Sequence, residues 1–472
     1  MTSILFKHIS HLATFDGPYR DAGTEVSDGF ILIRDNIIIA CGPMMDCPDD
    51  AERTADRVLD LSDHVVMPGM VNTHHHFYQN LTRVMVQDDE LFVWLKTLYP
   101  IWARLDDRAM ATASRMAMAE LIMSGCTTSS DHQYIMPNDC TLDTPIRVAQ
   151  EMGMRFHAAR GAMSRGESKG GLPPDSCVEE EEDILKDAER LIGTYHDMSD
   201  HAMTRIVLAP CSAFSVTQGL MKDAAALARS YEGVRLHSHI AEVLSEEEYC
   251  LETYGMRSVA YAESCDWLGP DVWFAHAIFL NSSEIKTFAD TGTGATFCPS
   301  AHMRCGLGIM RAREMLDAGV TVGLGVDGSA SNDTSNMFSE VRFAQFLQRV
   351  APDRYLSEAP GGRGGFGGTA AAMSAREALW MATRGGAKIL GRDDIGQIAP
   401  GKSADLIAIK RTQLGMAGTQ RDPLAALVMC GPFNADYSFI NGIPVIEQGA
   451  FTRLDINAAM RDHAQTMDRI YA

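Results

Sequence analysis

The middle of the chain repeats one pattern: a short apolar run, then a longer stretch in which apolar residues recur every three to four positions. Runs at 205–209, 234–239, 272–275 and 320–326 are followed by helical periodicity at 220–230, 245–254, 281–289 and 336–349. Short β-branched runs read as strands, and amphipathic stretches of this length as helices. Strand–helix repeats across residues 67–400 predict an α/β fold, and the length suits a (β/α)8 TIM-like barrel. The two ends differ from the middle. Residues 30–33, 37–40 and 58–61, and then 404–409 and 438–445, are apolar runs bounded by turn residues, the last interrupted by Asn441 and Gly442. They predict a small β-sandwich domain built from both termini, residues 1–66 plus 401–472. The glycine-rich segment 360–368 follows no strand and reads as a flexible loop rather than a phosphate cradle.

Composition narrows the function classes. A length of 472 residues exceeds one ordinary core, as two domains require. The formal net charge of −21 opposes nucleic acid and anionic membrane as partners, leaving a small-molecule substrate. The densest acidic run, 179–183, reads as a solvated helix face. No stretch approaches the roughly 20 apolar residues of a membrane span, and the first 15 residues lack a signal-peptide core. Eleven scattered cysteines without a C-x-x-C pair fit reduced thiols, so the expected location is the cytoplasm.

Chemistry gathers at predicted strand ends. In a strand, residues i and i+2 share a face, so His74 and His76 can converge on one metal ion while His75 faces away. His239 and Glu242 end another strand and offer a third imidazole and a carboxylate. His276 ends the next, and Asp327 a further one. The C-terminal ends of barrel strands are where active sites are built.

These residues, with Pro68 and Gly69 before the histidines and the run from Pro400 to Asp405 returning to the small domain, resemble the amidohydrolase superfamily along essentially the whole chain. The spacing His239-x-Ala241-Glu242, without a lysine to bridge two ions, is similar to its mononuclear deaminase branch. The stretches 74–83, 127–134, 170–175 and 323–333 are similar to 8-oxoguanine deaminases. Ala213 stands where proline is expected, and His302 where asparagine is expected. The resemblance implies one divalent ion held by His74, His76, His239 and Asp327, with zinc suited to three imidazoles and a carboxylate and Fe2+ also compatible. It implies Asp327 as the base toward water, His276 as stabiliser of the developing charge and Glu242 as proton shuttle. Gln79 is a candidate for pairing with a purine carbonyl and ring N–H. Cys211 stands where related deaminases contact substrate. Arg160 can meet an acidic ring edge, though arginines at strand ends also serve in salt bridges. The implied reaction is deamination of a nitrogen heterocycle, 8-oxoguanine to urate first, with hydroxytriazines, isocytosine and pterins as alternatives. Homo-oligomers, dimers or larger, are expected from the family. A catalytically dead scaffold is disfavoured because every one of these site residues is present.

Overall fold

The computed structural model describes residues 2–19, 23–351 and 369–472; segment 360–368 lies outside them. Its centre is a closed barrel of eight strands: β1 (Met70–Asn72), β2 (Cys126–Gln133), β3 (Arg155–Ala162), β4 (Thr204–Pro210), β5 (Arg235–Ile240), β6 (Val272–His276), β7 (Gly294–Phe297) and β8 (Val322–Leu324). All pairings are parallel. The strands are almost wholly buried, because helices cover their outer faces and side chains fill the interior. The α/β barrel expected from the strand–helix repeat is therefore present.

Closure is narrow. Leu324 pairs with Asn72, and the Val326 N–H donates to Asn72 Oδ1 at 2.9 Å. The entry to β1 needs glycine for space, since a Cβ at Gly69 would lie 2.1 Å from the Thr127 side chain. Helical caps fall where the polar residues predict. Asn281 and Glu284 form a capping box that starts the helix Ser282–Thr291. Four helices matter below: α1 (Leu91–Trp102), α2 (Asp107–Met123), α3 (Pro299–Arg304) and α4 (Ile456–Tyr471).

Strands from both ends of the chain form two sheets beside the barrel. One holds Ser3–Ile9, Gly29–Arg34, Ile37–Pro43 and Arg57–Asp60; the other joins the termini by pairing His64–Pro68 antiparallel with Leu406–Lys410. Phe6, Ile31, Ile33, Val66, Leu406 and Phe439 pack between them, each worth about 1.5–3 kcal/mol on burial. The Asn441–Gly442 turn has positive φ at both residues (52° and 76°), the geometry of a two-residue hairpin loop. A buried ion pair ties the sheets to the barrel. Arg155 on β3 donates from Nε and Nη2 to Asp405, both at 3.0 Å, and from Nη1 to the carbonyls of His201 and Ala202.

The final helix, α4, departs from the β character read for this end of the chain. It leaves the sheets and lies along α2, through Arg108 to Asp462 (2.7 Å) and Thr112 to Asp462 (2.8 Å). Among the described residues no helix is long and apolar enough to cross a membrane.

Candidate metal centre and active site

The carboxyl ends of β1, β5, β6 and β8 converge. His74 Nε2 lies 3.2 Å from Asp327 Oδ1, His76 Nε2 lies 3.4 Å from the same oxygen, and His239 Nε2 lies 3.3 Å from His76 Nε2. His75 turns away, with its Nε2 3.0 Å from the Ser335 hydroxyl.

Hydrogen bonds behind the rings decide which nitrogens carry protons. A carbonyl only accepts, so the His76 Nδ1–H donates to the His132 carbonyl (2.7 Å) and the His239 Nδ1–H to the Cys211 carbonyl (2.8 Å). His237 likewise donates from Nδ1 to the Trp273 carbonyl (3.1 Å), which leaves its Nε2 to accept from His74 Nδ1 at 2.8 Å. All three inward nitrogens are therefore bare lone pairs. Burial, reinforced by neighbouring imidazoles, holds His74 far below the ordinary histidine range, and burial lowers His239 to about 4. Burial alone would raise the Asp327 carboxyl, whereas its coulombic coupling to His276, His76 and His239 holds it below its usual value, an effect that calls for positive charge within the cage.

Three lone pairs and an ionised carboxylate thus face one another with no proton between them. His74 Nε2 is buried without a hydrogen-bond partner among the described residues. Such a set is repulsive unless a cation sits inside it. Tetrahedral zinc–nitrogen bonds span edges of about 3.3 Å, close to the separations observed. The residues fit a divalent metal ion.

Two further groups flank this cage. Glu242 is buried, and burial, then Asp327 and Glu246, push its carboxyl well above the ordinary range. Its Oε1 lies 3.6 Å from His276 Nε2. His276 turns its Nδ1 to His302 Nε2 at 3.1 Å. The backbone pays for these directions. His276 and Asp327 have φ of 72° and 61°, the left-handed region that residues other than glycine seldom occupy.

A cleft opens above the cage and encloses about 510 Å³, its open mouth included. Helix α1 walls it with Leu91, Trp94, Leu95 and Tyr99. Gln79 and Cys211 line it, as the sequence suggests. Gln79 Oε1 is buried and unpartnered among the described residues, and its Nε2 is 3.5 Å from the Tyr134 hydroxyl. Burial raises the Cys211 thiol to about 12, so it acts as a neutral wall group.

Arg160 is not brought to the cleft, and the expectation of substrate contact is corrected here. Its guanidinium donates to Asp187 (2.7 Å) and to Glu179 (2.6 Å) from within the protein. Glu179 is accordingly half-buried beside an arginine rather than part of a solvated face.

The sequence reading missed His237, Trp94, Tyr134 and the contact of His302 with His276. For His237 a signal existed, because the i, i+2 rule that links His74 with His76 also links His237 with His239. Trp94 belongs to an apolar helical stripe that reads as core.

A profile of the amidohydrolase family matches residues 65–445. The chain belongs to this family; it is a hydrolase acting on C–N bonds and fits the deaminase branch. It is 46% identical over 417 residues to 8-oxoguanine deaminase of Pseudomonas aeruginosa, covering 88% of this chain and 89% of that one. It is 35% identical to isoxanthopterin deaminase of an unknown prokaryotic organism, covering 95% and 94%. Among solved structures, atrazine chlorohydrolase from Arthrobacter aurescens complexed with zinc superposes with a TM-score of 0.87 at 31% identity, covering 98% of this chain and 100% of that one.

Proposed function

We propose that this enzyme hydrolyses 8-oxoguanine to urate and ammonia, using one divalent ion held by His74, His76, His239 and Asp327, zinc by the nature of the ligands. The observation that carries this reading is the proton-free cage of His74, His76, His239 and Asp327 with Glu242 buried beside it, 3.6 Å from His276. A divalent ion held by these residues would supply Lewis acidity that eases the deprotonation of water near neutral pH. Asp327 accepts the proton of the attacking water. Glu242 donates its proton to the ring nitrogen next to C2, takes the C2 hydroxyl proton as the carbonyl forms and delivers it to the departing amine, and the proton held on Asp327 then restores Glu242. His276 steadies the oxygen as negative charge builds on it. A C2–O bond forms, the C2–N bond breaks, and water is divided between urate and ammonia.

The apolar wall of α1 suits a flat ring, and the free Gln79 Oε1 suits a ring N–H. The 46% identity to an 8-oxoguanine deaminase favours that purine among heterocycles sharing an amino-oxo edge. Guanine presents the same edge but lacks the second carbonyl and the extra N–H of the five-membered ring. A site that bonds those groups leaves buried partners unpaired when guanine enters.

The test compares kcat/KM for 8-oxoguanine, guanine, isoxanthopterin, isocytosine and a hydroxytriazine in one ammonia-release assay. The expected order puts 8-oxoguanine above guanine by about 10²-fold or more. Equal rates for guanine, or a faster pterin or triazine, would remove the substrate assignment and leave the deaminase.

A further inference from the structure

Behind His276 lies a second imidazole that the mechanism above does not use. His302 projects from α3, is 1% exposed, and places Nε2 3.1 Å from His276 Nδ1. Its other nitrogen, Nδ1, is buried with no hydrogen-bond partner among the described residues. Two buried neutral rings sharing one hydrogen bond have two arrangements, and these differ in what His276 shows to the reaction.

In the first, the His302 Nε2–H donates to His276 Nδ1. His302 Nδ1 is then an unused lone pair, and His276 carries its proton on Nε2. In the second, the His276 Nδ1–H donates to His302, which must carry its own proton on Nδ1. That N–H would be buried with nothing to receive it. Orphaned buried N–H groups are rarer in proteins than under-used acceptors. The second arrangement would also turn a bare His276 Nε2 toward Asp327, whose carboxylate belongs to the same cluster of donor atoms.

We infer that His302 is a positioning residue: it holds His276 in the tautomer whose N–H faces the reacting oxygen, Glu242 and Asp327. That N–H can donate to the oxygen as its charge grows; the other tautomer would oppose it with a lone pair. This inference rests on the deaminase reading for the role of His276, but the tautomer itself can be measured without turnover.

The experiment uses the zinc-loaded enzyme and two variants, His302→Leu and His302→Gln. Leucine removes the donor, whereas the glutamine amide reaches about as far as Nε2 and restores an N–H. Long-range ¹H–¹⁵N spectra of histidine-labelled protein, with His276 assigned by its loss in His276→Gln, read the tautomer directly. We expect the proton on Nε2 in the parent enzyme and in His302→Gln, and a mixture in His302→Leu. We expect kcat to fall about 10- to 100-fold in His302→Leu, with KM changed less than about threefold and zinc content unchanged. His302→Gln should recover most of the loss. A parent spectrum with the proton on Nδ1, or a leucine variant with parental kcat, overturns the inference. If His302→Leu does not fold, the parent and glutamine spectra decide it. A parent enzyme that releases ammonia from no heterocycle would sink the deaminase reading, and the same spectra would still judge His302.

Discussion

Replacing His237 with leucine should weaken the metal site without touching a ligand. In the folded protein the His74 Nδ1–H donates to His237 Nε2 at 2.8 Å, and the His237 ring stacks on Trp273 with centroids 4.5 Å apart. His74 is fully buried, so no solvent can take the place of the lost acceptor. Leaving a buried N–H unpaired costs about 1–3 kcal/mol. That cost can be avoided only by turning the ring or moving its proton to Nε2, and either change spoils the ligand. At 1.4 kcal/mol per decade, the zinc dissociation constant should rise about 5- to 150-fold, in line with the 10- to 100-fold typical of groups behind metal ligands. Chelator competition on protein carrying about one equivalent of zinc measures it, and His237→Gln should regain much of the affinity by offering Oε1 as acceptor. An affinity within about threefold of the parent for His237→Leu would refute the tautomer assigned to His74.

Three other changes probe separate parts of the structure. Glu242→Gln keeps shape but cannot cycle a proton, so kcat should drop about 10²- to 10⁴-fold with metal content intact; loss of metal instead would make Glu242 a ligand. Gly328→Ala would put a Cβ 1.8 Å from Gln79 Oε1, so steady-state kinetics should show KM rising more than kcat falls; unchanged kinetics would remove Gln79 from recognition. Asp405→Ala strands the buried Arg155 guanidinium and should cost about 3–5 kcal/mol in urea unfolding, much of it regained in Arg155→Met/Asp405→Leu; a near-neutral single variant would mean that the pair does not tie the sheets to the barrel.

The barrel was legible because its strands are buried on both faces, so they stand out as unbroken apolar runs between amphipathic helices. Boundaries were less legible where hydrogen bonding rather than hydrophobicity sets them. The run 320–326 reads as one strand, yet only Val322–Leu324 is strand, and of these Leu324 alone pairs on both sides before the chain turns to aim Asp327 inward. Helix α4 is hard to tell from its β surroundings in sequence because few of its residues are buried, namely Ala459, Thr466 and Ile470. The approach of His74 to His76 was legible because period-two alternation puts i and i+2 on one face, although the strand itself ends at Asn72 and both histidines sit on the segment just past it. Arg160 was misplaced for the opposite reason. Its partners, Glu179 and Asp187, come from 19 and 27 residues further on, and nothing near Arg160 in sequence announces them.

The strained residues of the site explain a further silence in the sequence. Left-handed backbone normally advertises itself through glycine, but at positions 276 and 327 the side chain is what the site requires, so glycine cannot serve. Each such residue costs about 1 kcal/mol or more, and neighbouring hydrogen bonds hold the conformation in place. The Ala277 N–H donates to the Ile240 carbonyl at 2.9 Å, and the Asp327 N–H to the His74 carbonyl at 3.1 Å. The second bond runs from one cage residue to another, so the turn that strains Asp327 also fixes its distance from His74. The backbone conformation and the donor geometry are thus one constraint. An Asp327→Gly change would relax the first only by abolishing the second, which is why strain at these two strand ends marks the place where the fold serves chemistry rather than stability.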